Sequence, residues 1–244
     1  PGPSAPLTQR RGEPPIMPVW GGWPITETIR EQLDVPVYIE NDADAMAYGE
    51  WASGKEGAHR PFLLVKASEF IGAGIVIDGR IYRGFDGGAG DLGHVPVGGE
   101  HLCRCGRRGC LATEASGDAI LGRLRDQGLA VQDVADLATL LEAGDAVAGA
   151  EIRRAGEVMG RVLGAVVGVL NPASLVVSGT LASAPLVAAI RSAVYSASQP
   201  RATRHLDIRT GRLGNDNALV GLARVALDDV YSAAAVDRRL GVEG

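Results

Sequence analysis

Three cysteines, Cys103, Cys105 and Cys110, stand within eight positions of one another, and the 244-residue chain has no others. That crowding excludes a scaffold of disulfides between distant loops and suits a reducing, cytoplasmic setting. The spacing Cys-x-Cys-x4-Cys brings three thiolates into one small loop, and His94 and His101 lie just upstream. One imidazole added to three thiolates is a complete tetrahedral set for a structural zinc ion. Such a site carries about one excess negative charge, which Arg104, Arg107 and Arg108 are placed to offset, while Gly106 and Gly109 permit the tight turn. The competing reading is three reduced cysteines filling a small core. The spacing and the arginines favour the metal, but spacing alone does not choose between His94 and His101.

A chain of this length buries roughly 70 to 75% of its unfolded surface, so it needs no further staples. Its net charge of -5 argues against a broad phosphate-binding face, and any DNA contact would need residues outside this chain. The longest apolar run, 162–170, falls far short of the roughly 20 residues of a membrane helix, and the first residues lack a basic and apolar signal pattern. A membrane or secreted class is therefore not expected. Glycine is the outlier: there are 34, and those between positions 71 and 109 are dense enough to mark a region where backbone turns or comes close to something.

The proline-rich first 24 residues read as an extended lead-in. A short helix is expected over 26–33 and a β-branched strand over 35–39, followed by Asn41-Asp42 and an Ala-rich helix to about Trp51. Strands are expected at 62–65 and 75–77, with Asp78-Gly79 turning the chain into 80–83. Beyond Gly117 helical periodicity dominates. One long helix covers 146–170 and stops at Asn171-Pro172; its glycines at 156, 160, 164 and 168 form a smooth ridge, expected to pack on a sheet. A buried strand at 175–177 ends in Ser178-Gly179, and helices follow at 184–196 and 217–231. Alternating strands and helices predict an α/β architecture with a mixed sheet.

Asn41-Asp42 after a strand places an amide and a carboxylate where open α/β sheets bind ligands, and Asp42 could take a proton from a hydroxyl. An Asn-Asp pair before an Ala-rich helix is equally what an N-cap requires, and position alone favours the cap. Gly72 and Gly74, between strands, would let backbone approach a phosphate or simply form a hairpin. If His94 binds the metal, the ion would anchor the loop presenting Asp91, a device suited to a polyol ligand.

Taken in order, these segments resemble the ROK family of bacterial sugar kinases and sugar-responsive repressors. The matching stretches are PGP at 1–3, PPIMPVWGGWPI at 14–25, PVYIENDADAMAYGE at 36–50, IGAGIVIDGRIYRG at 71–84, GGAGDLGHVPV at 87–97, CRCGRRGCL at 103–111 and NPASLVVSG at 171–179. The resemblance selects His94 over His101 as the fourth zinc ligand beside Cys103, Cys105 and Cys110. It implies an actin-like, ribonuclease-H-like, two-lobed ATPase-type fold whose N-terminal lobe is incomplete here. The implied division is a small-lobe remnant at 1–60, a large lobe with the zinc knuckle at 61–213, and a C-terminal helix at 214–244 packing back toward the small lobe. Asn41, Asp42, Asp91 and His94 would form the sugar site, with Asp42 the base in a kinase. Gly72, Gly74 and Gly179 would lie on the nucleotide side.

The departures from the family pattern carry as much weight. The preceding stretch with its DxGGT phosphate loop is not in this sequence. The second phosphate loop, GTGIGAG in the family, reads Ser68-Glu69-Phe70-Ile71-Gly72-Ala73-Gly74, with an acid and an aromatic where glycines admit phosphate. ExGH is Asp91-Leu92-Gly93-His94, one methylene shorter. GCLE is Gly109-Cys110-Leu111-Ala112, without its carboxylate, for which Glu114 is the nearby substitute. The expectation is therefore the sugar-binding, oligomerising portion of a ROK-type transcriptional regulator, a homodimer or tetramer whose DNA-binding domain lies outside this chain. The alternative is a hexose or amino-sugar kinase using Mg-ATP, with Asp42 as base.

Overall fold

A computed structural model describes residues 24–33, 35–54 and 59–241. The lead-in over 1–24 and the PGP match lie, but for Pro24, outside the described residues. Five strands form one mixed sheet: β1 (Phe62–Ala67), β2 (Ile71–Ile77), β3 (Arg80–Ile81), β4 (Ser174–Ser178) and β5 (Asp207–Thr210), in the order β3-β2-β1-β4-β5. β1 runs antiparallel to β2 and parallel to β4, and β4 runs parallel to β5. Central strands buried on both faces need a continuous apolar run, and β1 and β4 supply it as FLLVKA and SLVVS.

The pleat divides these side chains between two cores. Leu63, Val65, Leu175 and Val177 join the large core with Ile152, Met159 and Leu163 of α6 (Ala146–Leu170). Phe62, Leu64, Val76 and Val176 face Met46, Ala47 and Tyr48 of α2 (Asp42–Ser53). α9 (Asn217–Tyr231) covers the outer side of α2, so close that a Cβ on Gly221 would lie 1.8 Å from the Ala45 carbonyl oxygen. α1 (Ile25–Gln32) precedes α2; α3 (Leu111–Ala115), α4 (Gly117–Asp126) and α5 (Val134–Glu142) lead into α6. α7 (Ala184–Ala197), α8 (Pro200–Thr203) and, after α9, α10 (Ala233–Leu240) complete the helices.

Three expectations are corrected. Residues 35–39 are not a strand: a ladder needs a partner, and no described residue pairs with them. Residues 71–74 do not lie between strands but open β2, Gly72 opposite Lys66 and Gly74 opposite Leu64. The glycine at 74 answers to helix packing, since a Cβ there would lie 2.2 Å from the Ala43 carbonyl oxygen. The α6 ridge meets a helix rather than the sheet: Cβ atoms on Gly156, Gly160 and Gly164 would lie 2.6, 2.5 and 2.7 Å from those of Ala189, Ala193 and Ala197 on α7. The row of every fourth residue that invites sheet packing also fits the small-residue row of a neighbouring helix.

The expected Asp78-Gly79 turn is present, both residues at positive φ, and α6 ends where Asn171 adopts a left-handed φ of 47°. Among the described residues no helix is long and apolar enough to cross a membrane.

Candidate functional site

The loop after β3 folds back on the sheet through its glycines. A Cβ on Gly90 would lie 2.0 Å from the Ala73 carbonyl oxygen, and the Ala73 amide donates to Gly90 at 2.8 Å. This seats a single 3-10 turn, Leu92–His94, with Asp91 at its start and His94 at its end. Leu92 is buried in the large core, so the turn is anchored from beneath.

His94 points into the cysteine loop. Its ligand atom and those of Cys103, Cys105 and Cys110 all lie within 4.8 Å of one another; Cys103 Sγ is 3.5 Å from His94 Nδ1, and Cys105 Sγ is 3.6 Å from Cys110 Sγ. A tetrahedral ion with bonds of about 2.0 to 2.3 Å sets its ligands ~3.5 to 3.8 Å apart, so the donor set and spacing fit zinc. Backbone bonds close the loop: Cys103 N–H donates to Arg107 at 2.7 Å and Val97 N–H to Gly109 at 2.8 Å. Gly106 and Gly109 take positive φ, 83° and 67°. Hydrogen bonds from the backbone and side chain of Arg107 lower the Cys105 thiol to about 6, whereas burial pushes Cys110 up to about 12. A buried thiolate at Cys110 therefore calls for a cation beside it.

Of the three loop arginines, only Arg107 answers the thiolates. Arg104 stacks over the Phe70 ring at 4.8 Å and reaches Asp118, while Arg108 donates to the Glu100 carbonyl. His101 lies elsewhere, its Nδ1 3.2 Å from Glu114 Oε1. Glu114 is also held by Arg154 at 2.7 Å. Burial works to raise its carboxyl, but Arg154 and His101 outweigh that and hold it below the usual range. The suggested substitute for the missing family carboxylate is thus occupied within the protein.

Asn41 caps α2: its Oδ1 accepts from the Ala43 amide at 2.9 Å and the Asp44 amide at 3.3 Å. The cap reading holds for this oxygen, and it leaves Asp42 as the first helical residue, at the rim and 61% exposed. Lys66, at the C-terminal end of β1, donates to Asp42 Oδ2 at 2.5 Å. Behind this rim lies a group of charges that the sequence pattern did not single out. Arg83 pairs with Glu40, whose side chain is only 3% exposed. Asp44, 5% exposed, has an Oδ1 with no hydrogen-bond partner among the described residues. Burial first, then Glu40, Asp42 and Asp91, raise Asp44 to about 7, against Arg83, which lowers it. The signal for Lys66 was available: a lysine interrupting a buried apolar strand requires a partner.

The expected site residues are brought together in part. The charges of Asp42 and Asp91 both act on Asp44, and Asp91 shares its turn with His94. Gly72 and Gly74 lie under α2. Gly179 faces the β1–β2 turn, where a Cβ would lie 2.5 Å from the Ala67 carbonyl oxygen. That turn is tied both to itself and to the segment after β4: Ser68 N–H donates to the Phe70 carbonyl at 3.3 Å, and Ser68 Oγ accepts from Thr180 N–H at 3.2 Å. Beyond it, a cleft of about 330 Å³ is lined by Val134, Leu137, Leu141, Thr180, Ser183 and Pro185.

The family model described as "ROK family" matches residues 13–229. A xylose repressor of Bacillus spizizenii is 30% identical over 214 residues, covering 86% of this chain and 55% of the repressor. A glucokinase of Halalkalibacterium halodurans is 30% identical over 223 residues, covering 83% of this chain and 67% of the glucokinase. The crystal structure of a ROK family glucokinase from Streptomyces griseus, in complex with glucose and AMPPNP, superposes with a TM-score of 0.74 at 25% identity, covering 84% of this chain and 73% of that one. The chain spans about half the length of the repressors it matches, and the fold is the actin-like, ribonuclease-H-like one of the ROK sugar kinases.

Proposed function

This chain belongs to the ROK family, and on that premise we propose that it is the sugar-binding and oligomerising portion of a ROK-type transcriptional regulator acting in the cytoplasm. The observation that carries this reading is the β1–β2 turn. Where the family's phosphate loop offers glycine amides, this turn presents Glu69 and Phe70 and bonds its own backbone internally. An acid at that point repels a nucleotide phosphate, and a ring held under Arg104 occupies the approach.

In this reading a sugar hydroxyl is accepted by Asp42 and Asp91, with Asn41 fixing the start of α2. A hydroxyl can reach Asp42 Oδ2 only by displacing or sharing Lys66 Nζ. His94, Cys103, Cys105 and Cys110 hold a structural zinc, which supplies order to the turn that carries Asp91. Ligand binding at α2 biases how α2 and α9 are disposed, and a homodimer or tetramer transmits that bias to DNA-binding segments outside this chain.

A second reading, an ATP-dependent hexose kinase with Asp42 as base, is favoured by the cleft beside Gly179, mainly apolar and at about 330 Å³ roomy enough for a nucleobase. Gly72, Gly74 and Gly179 then line the nucleotide side, and Mg-ATP is the cofactor. Calorimetric titration with a sugar panel tests the first reading, and no binding by any sugar would overturn it. A coupled ADP-release assay tests the second, whose signature is turnover abolished by Asp42→Asn.

A further inference from the structure

Resting on the sugar-binding reading, we propose that this site selects a sugar carrying a cationic amine, with Asp44 as the residue that sets the preference. Four carboxylates gather around the start of α2: Glu40 just before the helix, Asp42 and Asp44 in its first turn, and Asp91 of the loop after β3, close enough for its charge to act on Asp44. Among the described residues two cations face them, and each is committed to a partner, Arg83 to Glu40 and Lys66 to Asp42. Arg83 also attracts Asp44, but two cations against four carboxylates leave the group short of positive charge. Asp44 is nine-tenths buried, and its Oδ1 has no hydrogen-bond partner among the described residues.

Native proteins partner such buried polar atoms, and an orphan beside a ligand site marks a place where the ligand completes the electrostatics. In the free protein Asp44 meets the deficit by holding a proton, which its elevation to about 7 allows near neutral pH. A ligand ammonium supplies the same positive charge from the rim side, between the exposed carboxylates Asp42 and Asp91, and Asp44 then gives up its proton. A neutral hydroxyl satisfies one acceptor but leaves the summed charge unchanged, and an N-acetyl group does the same. The selection acts through charge at short range, so it requires no direct contact between the ligand and the buried Asp44 oxygen.

The test is calorimetric titration of the protein at pH 7 with glucose, glucosamine, 6-amino-6-deoxyglucose and N-acetylglucosamine, read as ratios of affinity to glucose. At least one of the two amines is expected to bind about tenfold or more tightly than glucose, with N-acetylglucosamine showing no such gain. Asp44→Asn is expected to bring the amine ratio close to one. Raising the salt from ~0.05 to ~0.5 M shrinks the same ratio in the unmodified protein, a readout that holds even where the variant folds poorly. Amine ratios at or below one, or a ratio that survives both Asp44→Asn and salt, would overturn the proposal while leaving sugar binding intact. Absence of binding by all four sugars would overturn this proposal and count against the sugar-binding reading as well.

Discussion

Asp91 and His94 sit at the two ends of one 3-10 turn, tied by a hydrogen bond from the His94 amide to the Asp91 carbonyl at 3.2 Å. His94 belongs to the cysteine loop and Asp91 to the proposed sugar site, so ordering the loop orders an acid of that site.

Protein purified without chelator should therefore hold about one zinc per chain, and Cys105→Ser should lose it. Because the turn is shared, chelation should also weaken the proposed sugar binding by ~10- to 100-fold although no cysteine belongs to the proposed sugar site. Metal analysis and calorimetry on the same sample check both; sugar affinity indifferent to chelation would uncouple the two halves of the turn.

Asp44 makes stability depend on pH with a definite sign. Its folded value, about 7, lies above the ordinary 3.8, so the folded state binds more protons than the unfolded one between those values. Stability from this group is full below about pH 4 and is lost as pH rises toward 7. Asp44→Asn should be more stable than the parent by ~2 kcal/mol at pH 8, with the difference vanishing near pH 4. Chemical denaturation at both pH values reads it.

Arg83 is the cation that makes the buried Glu40 tolerable. Arg83→Met leaves Glu40 and Asp44 facing each other uncompensated and should cost ~3 kcal/mol at pH 8. In the Asp44→Asn background the loss should be smaller, and a double-mutant cycle measures the coupling.

The α6 glycines divide into two kinds. Gly160→Val forces a side chain into the Ala193 contact and should destabilise by ~2 kcal/mol or more. Gly168 has no atom within 4 Å of a built Cβ, so Gly168→Ala should stabilise by ~0.5 to 1 kcal/mol. Thermal melts of the two variants separate packing from propensity.

Much of this architecture was legible in local chemistry. The apolar runs at 62–65 and 175–177, the Asp78-Gly79 turn and the Asn171 stop depend on near neighbours, and so does the cysteine spacing. What was not legible depends on partners far along the chain. Residues 35–39 have strand composition but no ladder partner among the described residues. β5, only four residues long with the sequence DIRT, is too short a run to announce itself and becomes a strand because β4 offers it an edge. The two glycines of β2 match a phosphate-loop pattern, yet Gly74 is required by α2 lying on the sheet. At the proposed sugar site, Asn41, Asp42, Asp91 and His94 stand out as motif letters. Glu40, Asp44, Lys66 and Arg83 acquire meaning only when burial shows which charges are paired and which are not.

Sugar binding without phosphorylation is tested most directly by titration calorimetry with a panel of pentoses and hexoses in the presence of Mg-ATP. At least one sugar should give a saturable isotherm whose heat flow returns to baseline after each injection, with affinity reduced at least tenfold by Asp42→Asn. Sustained heat flow that Asp42→Asn abolishes, or no isotherm with any sugar, would contradict it.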